Sequence, residues 1–179
     1  MIPYKRSIPR RAVILFMTGV STVALLIGAP VWIVSHVANG TFYWTPIVLV
    51  FIGWLITGLG VTVGLHRLAT HESFKTYKVV EGTLYVCAAM AAQGMWQWIA
   101  DHLTHHLHSD REGDPHSPKD GLFWAHWGWT IPYASPYRAA YEKKLMRNPV
   151  LRWVGKFNAV WVFGPFLLLF LTFGWDGVL

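Results

Sequence analysis

The stretch 98-WIADHLTHHLHSDREGDPH-116 places His102, His105, His106, His108 and His116 close together. Neutral imidazole is a good ligand for iron, copper, nickel and zinc. His102, His105 and His106 stand at i, i+3 and i+4, a spacing that puts three rings on one face of a helix. His105 and His106 diverge by about 100° around the axis, so this face can serve two neighbouring metals. Asp101, Asp110 and Asp114 lie in the same run and can orient imidazoles through their second ring nitrogen. A further pair, His66 and His71, frames 66-HRLATH-71. Five residues of α-helix turn the second side chain about 140° from the first. Both reach one site only if the helix distorts there.

The remaining histidines carry weaker signals. His108 is a weaker candidate than the three before it. For His116, within Asp114-Pro115-His116, a structural role in a tight turn is at least as well supported as ligation. His126 sits among Trp124, Trp127 and Trp129 and reads as interfacial packing. His36 falls on the far side of an apolar segment from the cluster. A zinc hydrolase is disfavoured, because HLTHH lacks the general-base Glu of HExxH. Cys87 is the single cysteine, which excludes an intrachain disulfide or a CxxC site; its apolar surroundings predict a buried, inert thiol.

The elements that position these residues look membrane-bound. The 179 residues are 54% hydrophobic and 13% charged, with a mean hydropathy of +0.35; soluble domains carry about a quarter charged residues. Three uncharged segments, about 12–34, 46–65 and 157–175, can each cross a hydrocarbon core of about 30 Å as a helix. Lys5, Arg6, Arg10 and Arg11 precede the first, whose apolar part is too long for a typical signal peptide. The other basic residues lie between Arg67 and Lys156, and none falls in the loop 35–45 or after the third segment. By the positive-inside rule the N-terminus and the region 66–156 face the cytoplasm. This distribution also explains the net charge of +6, with no stacking platform for nucleic acid. Residues 79–100 are apolar but carry Glu81, Gln93 and Gln97, and a span there would separate His66 from His102. A helix packed on the cytoplasmic region or lying at the interface costs less. The expectation is an all-α integral membrane protein with three transmembrane helices and a histidine-rich cytoplasmic region.

Three phrases carry a family resemblance: 64-GLHRLATHESFK-75, 98-WIADHLTHHLHSDREGDPHSP-118 and 120-DGLFWAHWGW-129. HxxxxH directly after a membrane hairpin, followed by HxxHH, resembles the membrane fatty acyl desaturases. The longer phrases resemble their acyl-CoA/delta-9 branch, from about Gly64 to Trp129. The resemblance implies a non-haem di-iron enzyme that uses O2 and two electrons to place a cis double bond in a saturated acyl chain, as acyl-CoA or acyl-lipid. It implies His66, His71, His102, His105 and His106 as iron ligands. It matches Asp101, Asp114 and His116 to surrounding support, and Gln93 and Trp98 to the acyl tunnel. Electrons in such enzymes come from an external donor, a haem cytochrome, a ferredoxin or a rubredoxin.

The family pattern includes a third box, HxxHH, after a fourth span, and residues 1–179 do not contain it. The expectation is therefore a desaturase-like domain over 1–179 that is incomplete at its C-terminus. The alternatives are a non-catalytic truncated fragment, a partner subunit of a split desaturase, and a related membrane di-iron hydroxylase.

Overall fold

The computed structural model describes residues 15, 19, 23–92, 94–133 and 138–174. The expected first span, 12–34, falls mostly outside these residues, as does Gln93. The described regular structure is helical, and it contains no strand.

Helix α1 (Ala29–Ala38) follows a widened turn at Ala24–Gly28. Its end packs into an aromatic cluster in which Trp32 stacks on His36 at 4.2 Å and meets Tyr43 edge-on at 5.6 Å. Helix α2 (Thr45–Leu59) starts with proline in its first turn, where the missing N–H costs nothing. It runs without a break into Gly60–Thr70, whose hydrogen bonds are of the wider i→i+5 kind. Together Thr45–Thr70 form one helix of 26 residues, long and apolar enough to cross a membrane. The apolar run of the sequence thus extends as a helix past 65, through both His66 and the residue before His71.

Residues 79–100 do not form one helix. Helix α3 (Lys78–Ala89) ends at Met90, and α4 (Met95–His108) begins after a turn in which Ala92 takes a positive φ of 55°. Short turns at Pro118–Asp120 and Gly128–Thr130 flank α5 (Leu122–His126). Helix α6 (Arg138–Leu145) leads to α7 (Pro149–Lys156) and α8 (Asn158–Phe173). The last two are bent by 55° at Phe157, and the pair counts as one candidate span only if taken together.

The core lies where the widened end of α2 meets α3, α4 and α7. Leu65, Leu68, Tyr85, Ala88, Met95, Ile99, Leu151 and Val154 are buried there. Gly60 and Gly64 make that meeting possible. A Cβ on Gly60 would collide with the backbone of Cys87 and Ala88, and one on Gly64 would press on Leu84. A polar tie joins the helices at one edge: Asn148 caps α7 by accepting from the N–H groups of Val150 and Leu151, and its amide donates to Glu81 at 2.6 Å. Tyr85 donates to the same carboxylate at 3.1 Å. This tie accounts for the acid inside an apolar stretch.

Outside the core, α1, α2 and α8 present large apolar side chains unpacked. Val34, Trp54 and Leu171 are 68%, 68% and 73% exposed.

Gly60→Ala is expected to lower the melting temperature in detergent micelles, at a cost of about 1–3 kcal/mol for forcing backbone apart. Gly58→Ala, where nothing lies within 4 Å, is the control and should be neutral or stabilising. Equal melting of the two variants would mean that the close approach of α2 and α3 does not form.

Candidate metal centre

The i→i+5 helix settles how His66 and His71 can share a site. In such a helix five residues make about one turn, so both rings emerge on one side. Their centroids are 4.7 Å apart. The His71 N–H donates to the His66 carbonyl at 3.1 Å, and the Thr70 hydroxyl donates to the Leu65 carbonyl at 2.7 Å. Such insertions are uncommon and recur at functional sites.

Helix α4 brings the other half. His102 lies 4.6 Å from His66 and 5.5 Å from His71, and His106 lies 4.7 Å from His71, centroid to centroid. The Nε2 atoms of His102 and His106 face each other at 3.0 Å. One ligand atom from each of His66, His71, His102 and His106 can be chosen so that all four lie within 4.8 Å of one another. Two ligands on opposite sides of an ion, each about 2.1 Å away, are about 4.2 Å apart. Only a slight contraction would let the four nitrogens hold one ion. Converging lone pairs with no carboxylate among them fit a first-row transition metal.

His105 points elsewhere. It groups with Asp114 and His116, whose ligand atoms also lie within 4.8 Å of one another. The His116 ring stacks on His105 at 4.1 Å and leans on Trp129 at 4.8 Å. Asp114 accepts from His105 Nδ1 at 2.8 Å, from the Asp110 N–H at 2.8 Å and from the His116 N–H at 3.0 Å. An ionised carboxylate can only accept, so Nδ1 of His105 carries the proton and Nε2 keeps its lone pair for a metal. Asp114 thus serves as an orienting group with its own oxygens engaged.

Protonation follows from the packing. Burial first, then the neighbouring rings of His106, His66, His71 and His105, pushes His102 down to about 3. Burial and His71 lower His106 as well. Both rings are neutral at pH 7, as ligands must be, and protons compete for them only in acid. His116 is lowered by burial and then by His105. For Asp114, burial alone acts upward; the hydrogen bonds from His105 and the two backbone amides outweigh it and hold the group below the usual carboxylate range.

The other residues singled out from the sequence fall as follows. Trp98 lies flat on the His102 ring, 4.8 Å away and tilted by only 15°. Asp101 is buried and accepts from Gln97 at 2.5 Å, a partner one turn back whose i−4 spacing was visible in the sequence. His126 ends α5 in an exposed position, and His36 belongs to the aromatic cluster at the end of α1. Trp129 was read only as a neighbour of His126; its contact with His116 needs the fold of the loop 109–121. Cys87 is half-buried and opens on a groove, in contrast to the fully buried thiol expected, although burial does push its thiol pKa up.

Two histidine-rich groups of side chains able to hold a metal ion, beside a helix long and apolar enough to cross a membrane, place the chain among histidine-cluster proteins of the membrane-desaturase type. No family model matches it. It is 39% identical over 142 residues to the sn-1 stearoyl-lipid 9-desaturase of Anabaena variabilis, covering 76% of this chain and 52% of that protein. It is 36% identical over 140 residues to Delta-9 acyl-lipid desaturase 2 of Arabidopsis thaliana, covering 74% and 45%. Against stearoyl-CoA desaturase 5 of Bos taurus the identity is 34% over 117 residues, covering 61% and 34%. The chain belongs to the fatty acid desaturase family, and it spans about half the length of the relatives it matches, or less.

Asp114→Asn should cut affinity for ferrous iron about 10–100-fold by freeing the His105 ring, read by chelator competition. His102→Ala should remove a separate portion of the bound metal, from the four-histidine group. Identical losses in the two variants would show that the groups act as one site.

Proposed function

We propose that the protein carrying this chain is a membrane fatty acyl desaturase that introduces a cis double bond into a saturated acyl chain with O2 and two electrons. The observation that carries the reading is the convergence of imidazoles from two helices, with α4 contributing to both groups. Relatives named as 9-desaturases of acyl-lipids support delta-9 chemistry, and one named as a stearoyl-CoA desaturase supports acyl-CoA as the other carrier.

In this reading His66, His71, His102 and His106 hold one iron of a di-iron pair, and His105, set by Asp114, serves the other. Iron bound there supplies the redox chemistry that acid–base groups cannot bring to an unactivated C–H bond. The protein's own contribution is order. Burial and the neighbouring rings keep His102 and His106 deprotonated, Asp114 fixes the His105 tautomer, and Trp98 covers one face of His102. Gln93 and Trp98 are proposed to line the acyl path, and Asp101 to support the ligand helix from behind through its bond with Gln97.

The whole of 1–179 is proposed to be one desaturase-like region. Its spans are proposed at about 12–34, 46–65 and 157–175, with the N-terminus and the histidines on the cytoplasmic side. The exposed apolar faces of α1, α2 and α8 support lipid contact, and the placement of basic residues supports the orientation. On that side a soluble electron donor, a haem cytochrome, ferredoxin or rubredoxin, can reach the metals.

The gene, expressed with an electron donor in a host lacking its own delta-9 desaturase, is expected to restore monounsaturated acyl chains. The position of the double bond is read by mass spectrometry. His102→Ala should reduce product to background. Membrane-inserted, iron-loaded protein that yields no double bond would overturn the activity.

A further inference from the structure

A groove of about 720 Å³ opens on the side of α3 that the histidines do not use. Val79, Val86, Pro149, Val150, Trp153 and Trp161 line it, together with Gly82 and Lys78. The lining offers a ligand almost no hydrogen bond. The Thr83 hydroxyl donates to the Val79 carbonyl at 3.0 Å, and the Trp161 indole N–H donates to the Val154 carbonyl at 3.2 Å. What fits is hydrocarbon.

The groove also has a defined place. It sits in the elbow where α7 bends by 55° into α8. Helix α7 is amphipathic, with Leu151 and Val154 buried and Arg152, Trp153 and Lys156 exposed, the pattern of a helix lying in a membrane interface. Trp153 and Trp161 match the tryptophan enrichment of that depth. The groove lining carries one charge. Lys78 is exposed and has no ion pair among the described residues. Glu81, one turn along the same helix, is held by Tyr85 and Asn148.

We propose that this groove binds one acyl chain of an anionic phospholipid, with the lipid phosphate against Lys78. The lipid is held as a structural ligand bracing α3 against the elbow of α7 and α8. No histidine lines the groove, and its α3 residues Val79, Gly82 and Thr83 lie apart from Tyr85, Ala88 and Ala89, which are buried in the core. The proposal rests on the membrane placement given above but not on desaturase chemistry.

Cys87 lines the groove and is the only cysteine, so its alkylation reports occupancy directly. The full chain would be placed in nanodiscs of phosphatidylcholine or of phosphatidylglycerol and treated with N-ethylmaleimide at one fixed pH. Phosphatidylglycerol should slow alkylation about fivefold relative to phosphatidylcholine, the worth of one cation at an anionic surface. Lys78→Glu should abolish that difference, and Arg111→Glu, in the loop after α4, should leave it intact. Gly82→Leu, which fills part of the groove, should slow alkylation equally in both lipids. Equal rates in the two discs for the unaltered chain, or protection that survives Lys78→Glu, would overturn the proposal. So would a thiol that stays unreactive in detergent without phospholipid, which would mean that polypeptide covers the groove. A chain that does not enter discs overturns the membrane placement, and the site with it.

Discussion

The whole arrangement depends on a helix that changes its winding. From Gly60 to Thr70 the backbone adopts i→i+5 hydrogen bonds, and that change sets His66 and His71 one above the other where an α-helix would splay them. Everything else in the site takes its place from this one. Within the widened segment, Gly60 and Gly64 let α3 approach to backbone contact. The same approach buries Leu65 and Leu68 against Tyr85 and Ala88, so the packing that stabilises the fold also fixes the ligand geometry.

Facing this segment, α4 divides its histidines by helical position. His102 and His106 turn toward His66 and His71, while His105, rotated about 100° from its neighbour, turns toward the loop. Asp114 then converts an irregular loop into a positioning device. Three donors converge on its carboxylate, and the one that matters chemically is His105, whose tautomer follows from the acceptor-only nature of the acid. Proton and metal chemistry are coupled here through geometry: burial first, and then the neighbouring rings, keep His102 and His106 neutral, which is the state in which nitrogen lone pairs are available.

A second, independent principle governs the opposite edge of α3. There the Glu81–Asn148–Tyr85 tie and the capped start of α7 anchor an amphipathic helix beside an apolar one, leaving a hydrocarbon-lined groove at their bend. Family membership bears on the histidines and is silent about this groove, which follows from packing and unbalanced charge alone.

Much of the centre was legible in the sequence, because ligand identity and i, i+3, i+4 spacing are local properties. HLTHH announced a histidine face that diverges toward two places, and DPH beside it announced a turn with an acid. The apolar runs announced helices of spanning length, although the described residues contain one such helix, or two if α7 and α8 are joined across their bend. What the sequence could not decide was contact between distant segments. The five-residue spacing of His66 and His71 is ambiguous until the helix widens, and the widened segment is the one that packs on α3 through Gly60 and Gly64. The role of Glu81 depends on Asn148, 67 residues away, and the half-open position of Cys87 on a groove shared with α7 and α8. The residues and their spacing determined which atoms were available to bind metal; only the packing of α2 on α3 and α4 decided which of them meet.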